Sequence, residues 1–483
     1  MKRPLSFIAL CLAAPLASAT TLGGIAFSPC TLAAPGASAP VAAQCARVEV
    51  PEDRAAPDAR RISLALAWVA AATADPAADP VFLLAGGPGQ SARDSYPAVA
   101  GAFSDILKRR HVILLDQRGT GESNRLACAQ DEAESTDISI GHAVEQTRTC
   151  LTSLSAVADV RHYTTGDAVA DLEAVRLALG VPAINLIGVS YGTRVAQQYM
   201  KAYPEAVRSA VLDGVVPNSL ALGQEHARNL EDSLARQFAA CTRLPACREA
   251  LGDPMDTFRA LAAELAEQPR QVHFRDATTG APAQGEFGRP ALSGLLRMYA
   301  YQPAIAATLP LLLSDLAQGH SDAAMAQARM LMSSMDEAMA QGMGLSVTCS
   351  EDANELVPDP ADADTVMGDE FVRYIQAQCA VWPHGSRAAD FREPARGDTP
   401  VLLLSGELDP VTPPRYGEEV ATHLPRSRHL VLRGQGHNVI GTGCTPKLVA
   451  RFIENIDAAA LDAECLDRLA ATPPFSGRYG WEP

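Results

Sequence analysis

The chain of 483 residues predicts an α/β fold, a mostly parallel sheet flanked by helices and interrupted by a mainly helical insertion. Three observations lead there. Short, continuous apolar runs at residues 81–85 and 112–115, and a further apolar run at 184–187, have the length and composition of strands covered on both faces. Helical stretches alternate with such runs, as parallel strands require. The alternation stops near Pro217, helical patterning takes over to about residue 396, and sheet pattern returns at residues 401–404.

The elements follow in order. Residues 1–19 read as a removable export signal, with Lys2 and Arg3 before an apolar stretch and Ala17-Ser18-Ala19 as a small-x-small cleavage pattern. Residues 20–60 are rich in Ala, Pro and Ser and read as an extended lead-in. Ile62, Leu64, Leu66 and Trp68 alternate with small or polar residues, a half-buried strand. Val169, Leu172, Val175 and Leu179 share one face of a helix over 166–179, which Gly180 closes. A strand at 184–187, a helix at 193–203 and a strand at 209–212 complete the first part of the core, residues 20–216. The insertion, 217–396, carries helices at 230–241, 255–267 and 292–301, broken by a polar Gly/Pro stretch at 269–290. Its Met-rich segment, 325–343, is expected to pack in a core. Strands at 401–404 and 429–432 and a helix at 446–456 form the C-terminal part, 397–483.

Composition narrows the function classes. The formal charge of −16, or −18 once Lys2 and Arg3 leave with the signal, argues against a nucleic-acid partner. No segment after the signal reaches the ~18 uninterrupted apolar residues of a membrane span, so no stable membrane insertion is expected. Of eleven cysteines, ten remain after Cys11 departs, in neighbouring couples: Cys30/Cys45, Cys128/Cys150, Cys241/Cys247, Cys349/Cys379 and Cys444/Cys465. Sequence leaves the pairing open, but disulfides in an oxidising compartment, periplasm or external medium, suit these counts better than a metal. Zinc spacing and His-Glu-x-x-His are absent, so neither metal nor other cofactor is expected.

The chemistry starts at Gly188-Val189-Ser190-Tyr191-Gly192, lying between an apolar strand and a helix. A serine on such a sharp turn has its hydroxyl raised above the sheet. The hydroxyl is a weak nucleophile and needs a base. Downstream, Asp409 follows the strand at 401–404 and His437 follows the strand ending at Leu432, each in the loop beyond a strand's carboxyl end, where open α/β sheets gather their functional groups. Serine, acid and histidine thus occur in the chain order of α/β-hydrolases. His437 would take the Ser190 proton, and Asp409 would fix the imidazole tautomer. Gly86-Gly87-Pro88-Gly89 follows the strand at 81–85. The N–H groups of Gly87 and Tyr191 are the expected oxyanion donors.

These blocks resemble the proline iminopeptidase branch of serine α/β-hydrolases, and more closely its exported tripeptidyl-aminopeptidase-like members. Leu84-Ala85-Gly86-Gly87-Pro88-Gly89 is similar to that family's His-Gly-Gly-Pro-Gly, with Ala85 in place of the histidine. Asp116-Gln117-Arg118-Gly119-Thr120-Gly121-Glu122-Ser123, the serine elbow, Asp409-Pro410-Val411-Thr412-Pro413-Pro414 and Gly434-Gln435-Gly436-His437 match further blocks, as do Cys444 and Cys465. The resemblance implies peptide substrates cut near a free N-terminus, with prolyl, alanyl or tripeptidyl release, and an insertion serving as a cap. A substrate ammonium calls for a carboxylate, because burying that cation unpaired is costly. Glu351, with Asp352 second, is the expected partner. Asp116 and Arg118 are expected to pair with each other and hold the Gly86–Gly89 loop. A carboxylic ester hydrolase on the same triad is the alternative, since fold does not choose substrate. A non-catalytic binding protein fits less well, because no member of the triad is missing.

Overall fold

The computed structural model describes residues 20–34, 39–128 and 139–480, so the proposed export signal lies outside the described residues. Its strands are β1 (Thr20–Leu22), β2 (Ile25–Leu32), β3 (Val41–Pro51), β4 (Arg61–Val69), β5 (Val81–Leu84), β6 (Val112–Leu115), β7 (Ile184–Val189), β8 (Val207–Asp213), β9 (Arg270–Arg275), β10 (Pro282–Phe287), β11 (Val401–Gly406) and β12 (Ser427–Leu432). One sheet runs β1-β2-β3-β4-β6-β5-β7-β8-β11-β12. From β6 to β12 every neighbouring pair in it is parallel, and from β1 to β6 every pair is antiparallel.

The uninterrupted apolar runs follow from two-sided burial. Successive strand side chains point to opposite faces. Phe82 and Leu84 join one core layer with Ile113, Leu115 and Leu186, while Val81 and Leu83 join the other with Val112, Leu114 and Ile187. Helices α1 (Ala92–Val99), α2 (Ile140–Leu154), α3 (Thr165–Leu179) and α4 (Tyr191–Ala202) belong to this part of the chain. The α3 helix begins with a reciprocal capping box between Thr164 and Asp167 and ends at Gly180, whose φ of 68° is the left-handed geometry glycine adopts freely.

The lead-in differs from expectation. Residues 20–60 supply three antiparallel strands rather than an extended arm. Ile25 and Phe27 are buried while Ala26 and Ser28 are exposed, but the surrounding Ala, Ser and Pro dilute that alternation in the sequence. Cys30–Cys45 staples β2 to β3. The other couples bond likewise: Cys128–Cys150, Cys241–Cys247, Cys349–Cys379 and Cys444–Cys465.

Between β8 and β11 the chain is mainly helical and builds its own core from Leu230, Leu234, Phe238, Leu292, Leu295 and Leu296 among others. The Gly/Pro stretch at 269–290 contains the antiparallel hairpin β9–β10, turned by the Asp276 carboxylate accepting from the N–H groups of Thr278 and Thr279. The Met-rich segment spans two helices, Asp322–Ala338 and Gln341–Glu351, and packs only in part. Met325 and Met343 are buried as expected, whereas Met330, Met332 and Met335 are 42–43% exposed, so core packing holds for only part of the segment. A helix presents just one stripe inward. Among the described residues no helix is long and apolar enough to cross a membrane.

Candidate active site

Strand β7 ends at Val189 and α4 begins at Tyr191, leaving Ser190 alone to turn the chain, at φ 55° and ψ −122°. An L-residue there is strained, and such strain collects at functional positions. Its N–H donates to the carbonyl of Asp213, the last residue of β8, at 2.8 Å. The flanking glycines are required by space. A Cβ on Gly188 would lie 2.5 Å from the Gly192 oxygen, and one on Gly192 would lie 2.2 Å from the Leu84 oxygen. The loop after β5 passes directly against the serine, since a Cβ on Gly86 would sit 3.1 Å from the Ser190 Cβ. Gly87, at φ 107°, is in that loop, and Tyr191 opens α4; their N–H groups thus lie on the two segments flanking Ser190.

The acid and the base meet. His437 Nδ1 lies 2.7 Å from Asp409 Oδ2, and the Thr412 hydroxyl lies 2.8 Å from the same oxygen. Asp409 Oδ1 accepts from the N–H groups of Val411 and Thr412, both at 2.8 Å. Burial opposes its charge, but His437 and these donors outweigh burial and hold the carboxyl below its ordinary range. For His437 burial favours the neutral ring, yet the Asp409 carboxylate prevails and its pKa is raised. Glycine again permits the approach. A Cβ on Gly406 would lie 1.9 Å from the Gly436 oxygen, so the two loops bearing Asp409 and His437 are in contact.

Two further residues complete the arrangement, and sequence reading missed both. The fully buried Asp213 carboxylate accepts from the N–H groups of Val439 and Ile440 at 2.9 Å, while its carbonyl takes the Ser190 N–H. One residue therefore anchors both the serine and the segment after the histidine. Burial pushes its carboxyl up to about 6, against the pull of the two amides. It ends a strand of the sheet, the same signal that marked Asp409. Next to it, a Cβ on Gly214 would lie 3.1 Å from His437 Cε1. Tyr301 comes from the insertion: its carbonyl accepts the His437 N–H at 3.0 Å, and its ring meets the imidazole edge-on at 5.2 Å. Nothing local marks Tyr301, because the contact joins segments far apart in the chain.

The acidic pair expected to meet a substrate ammonium is engaged within the protein. Asp352 is buried and forms ion pairs with Arg194, at 3.2 Å, and Arg392, at 2.9 Å. Its charge is already met. Glu351 is also buried, with Oε1 2.6 Å from the Thr165 N–H and Oε2 2.8 Å from the Thr165 hydroxyl. That hydroxyl lies 2.7 Å from the Tyr191 hydroxyl, which accepts from Gln117 at 3.2 Å. Glu351 thus supports the residue after Ser190 from within the protein. Burial and the neighbouring Asp352 charge push its carboxyl up to about 7.

Asp116 and Arg118 also part from expectation. Arg118 pairs with Asp171, at 2.6 Å, and donates to the carbonyls of Glu52 and His162. Asp116 accepts from the Ser91 hydroxyl at 2.6 Å and from the N–H groups of Arg93 and Glu122. Each meets its own long-range partner instead. Asp116 does hold the start of α1, just past the glycine loop. Among the described residues no group of three or more His, Cys, Asp or Glu is placed to hold a metal ion.

A family model described as the alpha/beta hydrolase fold matches residues 79–443. Serine protease Hip1 of Mycobacterium tuberculosis is 26% identical over 487 aligned positions, covering 91% of each chain. Tripeptidyl aminopeptidase of Streptomyces coelicolor is 24% identical, covering 89% of this chain and 84% of its own. Proline iminopeptidase of Neisseria gonorrhoeae is 32% identical over a shorter stretch, 28% of this chain and 32% of its own.

Proposed function

The chain belongs to the α/β-hydrolase fold family, and from that premise we propose that it is an exported serine aminopeptidase acting near a free peptide N-terminus. The observation carrying this reading is the strained Ser190, tied through Asp213 to the segment after His437, a histidine already hydrogen-bonded to a buried carboxylate. Ser190 attacks the scissile carbonyl while His437 takes its proton. Asp409 holds the ring and stabilises the imidazolium. The Gly87 and Tyr191 N–H groups receive the oxyanion. His437 then protonates the leaving amine, and water releases the acyl group by the same steps in reverse. The insertion serves as the cap that carries Tyr301 to the histidine.

Peptide rather than ester chemistry is supported by the names of the relatives, two of them aminopeptidases. Export is supported by the signal-like residues 1–19 and by the five disulfides. Release of a prolyl or alanyl residue, or of a tripeptide, is the expected outcome. Kinetics on amino-acyl and tripeptidyl anilides, free and N-acetylated, with mass spectrometry of products from an unblocked peptide ladder, test the proposal. Free substrates should be cut and blocked ones spared. Equal rates on both, or turnover of short-chain esters alone, would defeat it.

A further inference from the structure

Arg297 stands out among the cations of the insertion. It is half-buried, and among the described residues no carboxylate pairs with it; its guanidinium carbon instead lies 5.1 Å from the centroid of the Phe371 ring. Such a ring partly stabilises a cation but leaves its hydrogen-bond donors unused. Nearly every other buried or half-buried arginine described above, Arg118, Arg194 and Arg392 included, has a carboxylate at hand.

Its position gives the unused donors a meaning. Arg297 lies four residues before Tyr301, which closes the helix Arg289–Ala300 in helical geometry, so the two side chains share a face about 6 Å apart along the axis. Tyr301 is the residue whose ring and carbonyl touch His437. His226 stacks on Phe371 at 5.6 Å, and both Arg297 and His437 act on it electrostatically. Burial first, then Arg297 and His437, push its pKa down to about 3, leaving it a neutral neighbour. Arg297 therefore stands on the His437 side of the site. That is the side of the leaving group, because His437 delivers the proton to the departing nitrogen. In a leaving amino acid the carboxylate carbon is two bonds from that nitrogen.

Resting on the proposed aminopeptidase reading, we propose that Arg297 binds a carboxylate on the first residue beyond the cut, and so favours peptides that end there or carry an acidic side chain there. The guanidinium fork matches a carboxylate in two parallel hydrogen bonds.

The test uses the full-length enzyme and three peptides with free N-termini, identical up to the cut. Beyond it the first carries a single alanine with a free C-terminal carboxylate, the second alanine amide, and the third glutamate amide. The wild type should prefer the first, the third, or both over alanine amide by about tenfold in kcat/KM, the scale of one charge-assisted hydrogen bond. Preference for the first alone identifies the C-terminal carboxylate, and for the third alone the side chain. Arg297→Gln should bring the ratios near one, with the loss appearing in KM, and Arg297→Lys should keep part of them, having charge without the fork. Each ratio is internal to one preparation, so partial misfolding does not distort it. Equal rates on all three peptides in the wild type, or unchanged ratios in Arg297→Gln, would overturn the proposal. If none of the three is cut while an ester still is, the aminopeptidase reading fails and this proposal falls with it.

Discussion

His437 Nδ1 lies 2.7 Å from Asp409 Oδ2, and the same carboxylate is fixed by the N–H groups of Val411 and Thr412 through its other oxygen. The imidazole is therefore held by an acceptor that cannot rotate away. Asp409→Asn replaces that acceptor with an amide that can present its NH2 to Nδ1, stabilising the wrong tautomer. We expect kcat to fall by about 10⁴ with little change in KM. A fall below tenfold would show that Asp409 does not orient the base.

The same pair sets a pH dependence. His437 acts as base only when neutral, and Asp409 raises its pKa despite burial. The acid limb of kcat/KM should therefore lie above the ordinary histidine value of about 6.5, with activity rising through it as pH increases. Asp409→Asn should move the limb downward in whatever activity remains. A limb that stays in place would assign it to another group.

Ser190 invites a comparison of two inactive variants. At φ 55° an alanine keeps the strain of an L-residue and a glycine does not. Both substitutions remove the hydroxyl and should reduce turnover by at least about 10⁴. Ser190→Gly should nevertheless unfold at a higher denaturant concentration than Ser190→Ala, by about 1 kcal/mol, the reverse of the usual order. Alanine matching or exceeding glycine would remove the case for strain at the elbow.

Asp213 links the serine to the histidine's segment. In Asp213→Ala the Val439 and Ile440 N–H groups lose their acceptor in the interior, at about 1–3 kcal/mol each. Stability from urea unfolding should drop accordingly, and kcat should drop as His437 loses its fixed place. Loss of stability without loss of kcat would make Asp213 purely structural.

Glu351 gives a second pH effect, on stability. Its carboxyl is pushed up to about 7 in the folded protein, against 4.5 without that environment. Below the lower value both states are protonated. As pH rises from there to about 7, the folded state retains the proton that the unfolded state gives up, so stability contributed by this group is lost over that window. Glu351→Gln, which stays neutral, should flatten the fall in unfolding temperature between about pH 4.5 and 7. An unchanged slope would place the pH dependence elsewhere, with Asp213 the next group to test.

The legible parts of this protein were those written locally. Two-sided burial shows as apolar runs such as Val81 to Leu84, and a strand-to-helix turn shows as Gly188-Val189-Ser190-Tyr191-Gly192, because each depends on neighbours a few residues away. The strand β2 was hidden because small residues cover its exposed face and blur the alternation of Ile25 and Phe27. Asp213 was overlooked although it ends a strand as visibly as Asp409 precedes its turn. Its acceptors' partners, Val439 and Ile440, lie more than two hundred residues away.

By itself, then, the sequence determined the alternation of strands and helices, the order of serine, acid and histidine, and the neighbouring cysteine couples. Tertiary structure decided which charges are spent and which are free. Glu351 and Asp352 read as an open acidic pair, yet Arg194 lies 158 positions from Asp352 and Thr165 lies 186 from Glu351, and folding brings both into contact. Arg297 reads as one arginine among many, and only the packing beside Tyr301 and Phe371 leaves it with donors to offer. The physical reason is that a charge's fate depends on desolvation and on a partner within a few ångströms. Those partners come from segments that meet only once the chain has folded.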